Sequence, residues 1–227
     1  MNKKNVFINV LIASCILFYI SCGRSTGNRT GIDTSADTVF YFSGMFMYFA
    51  DAPVLRDCAT GFTLSVAMER DYLRAEREYN SLEPYQGEYI YVEFMGNVSE
   101  SILENGEGLP YTVKIDSLIE FDRDKNCDFE NLIAGVYETD MNKMRSNLRL
   151  TGNYEFIHTV FDTGNESKAD IYTGRWGRIS DKELVLVYEM LDGAEHAAKQ
   201  HLTFDRVNDV LLGIEEGSTV VFKKVYL

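Results

Sequence analysis

The sequence predicts an all-β protein with one short helix, laid out as two consecutive β segments. Three observations carry this. Apolar and polar residues alternate with period two through most of the chain. One stretch alone, Met68 to Tyr79, shifts to helical spacing. From residue 132 onward, turn residues cut the chain into eight short runs at about 8–12-residue spacing, the signature of a strand-only meander.

The elements follow in order. Phe40, Phe42 and Gly44 share one face of a first strand, and Tyr41, Ser43 and Met45 the other, which Met47 and Phe49 continue. Asp51-Ala52-Pro53 reads as a turn, because proline cannot donate within a central ladder. Short strands at 54–57 and 62–66 flank an Ala59-Thr60-Gly61 turn. Met68, Tyr72, Ala75 and Tyr79 then fall on one helical face, with Arg and Glu on the others, until Pro84 bars continuation. Strands at 89–98 and 111–121 close the first segment, joined by a Gly- and Glu-rich loop. In the second segment, strands are expected at 134–138, 147–150, 154–161, 171–179, 183–190, 199–204, 210–215 and 219–225. Eight such strands fit an up-and-down barrel, whose closure leaves no edge unpaired. The boundary falls in 126–132, giving domains at 38–131 and 132–227.

Composition sets outer limits. The 227 residues carry 22 basic and 35 acidic side chains, a net charge of −13, with three histidines. A phosphate-backbone binder needs a basic face, so no nucleic-acid partner is expected. Three histidines without metal-ligand spacing leave no metal centre to expect.

Residues 1–21 read as an export signal. Lys3 and Lys4 precede an apolar stretch, Val6 to Ile20, that is too short for a membrane span of about 20 residues. It ends Tyr19-Ile20-Ser21-Cys22 and then turns polar. A small residue before Cys after such a stretch resembles the lipobox of bacterial lipoproteins, which implies a lipidated Cys22 as the mature N-terminus. Ile12-Ala13-Ser14-Cys15 fits the box by letter but would leave too short an apolar stretch. Cleavage removes two lysines and no acid, so the mature 206-residue chain carries −15. Gly23 is not the Asp that retains such proteins in the inner membrane, and no acidic run follows Cys22. The lipoprotein resemblance therefore implies an outer-membrane anchor with the body in the periplasm. Residues 22–37, rich in Ser, Thr, Gly and Asn, read as a flexible tether. Cys58 and Cys127 then remain in an oxidising compartment, where they most simply pair; two free or redox-active thiols are the alternative.

The stretch Gly44 to Gly61, containing Ala50-Asp-Ala52 and Asp57-Cys-Ala-Thr-Gly61, followed by Val66-Ala67 and Tyr72…Glu76…Tyr79, is similar to the C-terminal OB-like domain of the NlpE family of envelope lipoproteins. Val92-Glu-Phe-Met-Gly96 resembles its next strand, and Cys127 falls where its second, disulfide-bonded cysteine is expected. Leu148-Arg-Leu-Thr-Gly-Asn-Tyr154, Gly174-Arg-Trp-Gly177 and Leu184-Val-Leu186 resemble the family's other module, a lipocalin-like barrel. The resemblance implies an OB-like barrel followed by a lipocalin-like one, in reversed order relative to the founding arrangement. It also implies envelope-stress or surface sensing and a link to copper resistance. The family's Cys-x-x-Cys is absent, because Gly135 is followed by Val-Tyr-Glu-Thr-Asp-Met. A thiol-based copper or redox role therefore does not carry over to this barrel.

Candidate chemistry is sparse. Tyr154, Phe156 and His158 fall in phase, and Trp176 resembles the barrel-floor Trp of lipocalin-like folds. These four form the candidate ligand pocket, with structural packing as the other reading of each. His196 is placed in a turn and His201 facing outward. Met45 with Met47, and Met141 with Met144, are spaced as soft copper ligands could be, although strand methionines usually fill cores. Asp51 and Asp57 read as turn-formers. No nucleophile–base pairing is visible, so neither catalytic residues nor a cofactor is expected. Two functions remain: coupling envelope state to a sensor protein by contact, or carrying a small apolar ligand in the second barrel.

Overall fold

The computed structural model describes residues 38–226 apart from 51, 102, 104–107, 142–143, 163–168 and 216–217. The readings on the signal, on Cys22, on the tether and on Asp51 lie outside the described residues. Among the described residues no helix is long and apolar enough to cross a membrane.

The chain runs β1 (Phe40–Phe49), β2 (Ala52–Asp57), β3 (Thr63–Val66), α1 (Tyr72–Ser81), β4 (Ile90–Glu100) and β5 (Tyr111–Asp122) through its first barrel. It continues with β6 (Gly135–Met141), β7 (Met144–Leu150), β8 (Glu155–Asp162), β9 (Ala169–Arg178), β10 (Glu183–Leu191), β11 (Ala194–Asp205), β12 (Val210–Glu215) and β13 (Ser218–Val225). The fold is mostly β with one helix, as expected.

In the first barrel β1 pairs with β2 and β4, β2 with β3, β3 in parallel with β5, and β5 with β4. That closed order, with a helix between β3 and β4, is the five-stranded OB arrangement. The strand β1 must serve two partners, β4 along Phe40–Phe46 and β2 along Gly44–Phe49. Gly44 stands where the two overlap, and a Cβ there would lie 2.8 Å from the Arg56 carbonyl oxygen. Only glycine lets the strands approach so closely. The helix packs Tyr72, Ala75 and Tyr79 onto the barrel, and the Tyr79 hydroxyl donates to the Glu88 carbonyl at 2.7 Å.

The second barrel is antiparallel throughout: β6 to β13 pair in sequence, and β13 returns to β6. Tyr137, Leu148, Phe156, Trp176, Leu186 and Phe222 are among the side chains that fill it. The barrels meet where Tyr41 of β1 pairs with Arg178 of β9, and the described residues pack as a single compact unit.

Three local expectations need correction. Pro53 lies inside β2, opposite Tyr48; β3 pairs only with Val54–Arg56, so the missing N–H falls where no third strand needs it. The helix does not reach back to Met68, which is 54% exposed, because Arg70 adopts a left-handed backbone (φ 57°) that a helix cannot continue through. The β11 strand starts at Ala194, not residue 199, so His196 sits in a strand, not a turn. Both faces of β1 are buried near its start: Tyr41 and Ser43 are 8% and 2% exposed, and Arg178 of the second barrel contacts both.

Candidate functional site

The β2–β3 turn is organised by Asp57. Its Oδ2 accepts from the Ala59 and Thr60 amides at 3.0 and 2.7 Å and from the Thr60 hydroxyl at 2.8 Å. Its backbone carbonyl accepts from Gly61, whose φ of 72° suits glycine. The turn then receives the segment leading to the second barrel. The Ile133 and Ala134 amides both donate to the Ala59 carbonyl, at 2.8 and 3.0 Å. Arg56 stacks on the Phe129 ring at 3.7 Å, and a disulfide joins Cys58 to Cys127. The bridge therefore clamps the inter-barrel segment onto the turn that Asp57 shapes.

Beside this turn the barrels interlock. Phe42 meets Phe94 at 5.2 Å and Tyr154 at 5.4 Å, and Tyr154 stacks on Trp176 at 5.3 Å. Phe40 occupies the space a side chain at Gly177 would need, and Phe62 does the same at Gly152. Arg178, 2% exposed, donates to the Ser43 hydroxyl at 2.9 Å and lies over the Tyr41 ring at 4.9 Å. Burial pushes the Asp57 carboxyl above the usual carboxylate range, and the Arg178 guanidinium opposes that shift. Burial also holds the Tyr154 hydroxyl well above the usual phenol range, and Asp57 adds to the effect. A buried acid from one barrel and a buried base from the other thus share one low-dielectric junction.

On the surface the two barrels leave a cleft of about 800 Å³. Arg70, Lys114 and Glu100 come to it from the first barrel, and Glu155, Arg175 and Glu189 from the second. Arg70 pairs with Asp116, Lys114 with Glu69 at 2.7 Å, and Arg175 donates to the Val98 carbonyl at 2.9 Å across the junction. Glu189 is the extra residue of a β-bulge between Tyr188 and Met190, which re-aims its side chain at this cleft.

The four residues of the candidate ligand pocket do not converge on one cavity. Tyr154 and Trp176 are 3% and 0% exposed, and the Trp176 indole donates to the Thr151 carbonyl at 3.0 Å, so both close the barrel end against the OB barrel. Phe156 reaches the edge of the cleft, whereas His158 lines a separate cavity of about 30 Å³. His201 is exposed, and His196 meets Tyr172 and Tyr188 edge to face. Met45 and Met47 are half-buried, Met144 is 48% exposed, and nothing is described of the Met141 side chain. No group of three His, Cys, Asp or Glu side chains placed to hold a metal occurs among the described residues.

Sequence reasoning passed over Arg178 and gave Asp57 a local role alone, yet both carried a signal. Arg178 is in phase with Gly174 and Trp176, and Asp57 with Pro53 and Leu55, which puts a charge on each buried face. The Glu189 bulge had no such signal, because one inserted residue leaves the alternation on either side intact.

Among known families, the model described as NlpE C-terminal OB domain matches residues 36–128. No curated protein and no solved structure matches the chain. The matched residues span the five strands, the helix and both bridged cysteines described above. The first barrel is thus similar to the NlpE C-terminal OB domain, and the match stops short of the second barrel.

Proposed function

We propose that the protein is a non-catalytic envelope lipoprotein that couples envelope or surface stress to a sensor by protein contact. A lipid on Cys22 holds it in the outer membrane, and its body faces the periplasm. The observation that carries this reading is an NlpE-type OB domain locked to a second barrel through buried aromatic and charged residues. Such a body presents both barrels to a partner in one fixed orientation, which lowers the entropy cost of association. The filled core around Trp176 and Phe156 favours contact over carriage, and the polar cleft offers donors and acceptors of both charges. The absent Cys-x-x-Cys removes the thiols that a copper response in the second barrel would use.

Its test is an envelope-stress reporter in cells that overproduce the full chain. Induction by the lipidated protein and its loss in Cys22→Ser support the reading. An unchanged reporter with the wild-type chain, at levels verified by blotting, contradicts it. A second reading, a carrier of a small apolar molecule in the second barrel, is favoured by the cavity beside His158.

A further inference from the structure

His158 is an odd residue for a barrel core. It is 5% exposed, it packs among Tyr172, Tyr188 and Phe222, and burial holds its pKa down to about 4, so the ring is neutral near pH 7. Its tautomer follows from its neighbours. The Tyr188 hydroxyl has one proton and donates it to Gln200 Oε1 at 2.7 Å. The 3.1 Å contact between that hydroxyl and His158 Nδ1 must therefore have the imidazole as donor. Nε2 is then a bare acceptor, buried and without a partner among the described residues. A buried acceptor left unmet costs about 1–3 kcal/mol, so a partner of complementary chemistry gains by reaching it.

The acceptor belongs to the wall of the 30 Å³ cavity, together with Thr139, Met144, Ser146, Val160, Val220 and Phe222. None of these is charged, so an ionic group would enter without a counter-charge, and a neutral donor is the group that fits. The cavity sits at a seam. The last pair between β6 and β13 is Glu138 with Lys223; beyond it Thr139 pairs with β7 and Val220 and Phe222 with β12, but not across the seam with one another. Met144, half-exposed at this seam, marks the way out. The volume encloses a head group about the size of a water molecule, so any longer apolar portion leaves past Met144.

We infer that the seam between β6 and β13 binds a neutral apolar molecule ending in a hydroxyl, which donates its hydrogen bond to His158 Nε2. The inference rests on the carrier reading and adds to it the entry point, the anchoring atom and the chemical class.

The test uses the full chain in lipid nanodiscs, ¹⁵N-labelled at histidine, titrated with 1-hexanol and separately with n-hexane. The expected result is a saturable shift of the His158 Nε2 resonance with hexanol and none with hexane. His158→Phe should weaken hexanol binding, read by competition, about tenfold or more. Met144→Trp covers the seam from its exposed side without touching the core, and it should weaken binding severalfold. Equal binding of hexane and hexanol overturns the hydroxyl assignment while leaving a carrier in place. No saturable binding of either overturns both. Hexanol binding untouched by Met144→Trp overturns the seam as the entry point.

Discussion

At the scale of single residues, His158 and Asp57 are the two buried ionisable groups with the clearest consequences. Burial lowers the folded pKa of His158 to about 4, from 6.5 when unperturbed, so between those values the unfolded chain binds the extra proton. Its contribution to stability is complete above pH 6.5 and falls away as the pH drops toward 4, by about 3 kcal/mol over the whole span. Urea denaturation at stepped pH should show that loss in the wild type and a flatter profile in His158→Gln. For Asp57 the argument is one of satisfaction. Its Oδ2 meets three donors, and the Arg178 guanidinium acts on it through space, with no ion pair between them among the described residues. Asp57→Ala strands those donors, so a loss of about 1–3 kcal/mol is expected in denaturant unfolding.

At the scale of elements, the strands were legible because turn chemistry separates them, as Thr151-Gly152-Asn153 and Asp192-Gly193 do on either side of β8, β9 and β10. What stayed hidden was what one element does to another. Nothing local says that Gly177 of β9 exists to admit the Phe40 ring of β1, 137 positions upstream. A Cβ at Gly177 would come within 2.2 Å of that ring, and Phe40 is 1% exposed with nowhere to retreat. Gly177→Ala should therefore cost about 1–3 kcal/mol, measurable as a lower urea midpoint. The disulfide acts on the same junction from the other side. Cys58 and Cys127 are 69 positions apart, and opening the bridge frees a loop whose closure is worth about 4 kcal/mol in the chain-entropy model. Cys58→Ser and Cys127→Ser should each lower stability by a similar amount and alter the stress-reporter output. Unchanged stability and output in both would place the bridge outside the working part of the molecule.

At the scale of the whole molecule, two barrels share one buried seam and one outward cleft. Both barrels could be read from alternation, turn spacing and family resemblance. The junction could not, because a face covered by another barrel and a face covered by its own core give the same apolar pattern. Tyr41 and Ser43 are the case in point: alternation sets them opposite Phe40 and Phe42 without saying what covers them, and Arg178 of the second barrel contacts both. The candidate pocket was half legible. His158 does face a cavity, but Tyr154 and Trp176 are spent on closing the barrel end against the OB domain. The most direct measurement is photo-cross-linking in intact cells that express the full chain, with probes at Ser99 and Ile157 on the cleft and at Val207, 92% exposed, as the control. Contact signalling predicts that one discrete envelope protein is captured at both cleft positions and not at Val207, with capture rising under envelope stress. A cleft that captures nothing under stress, or no more than Val207 does, would contradict it.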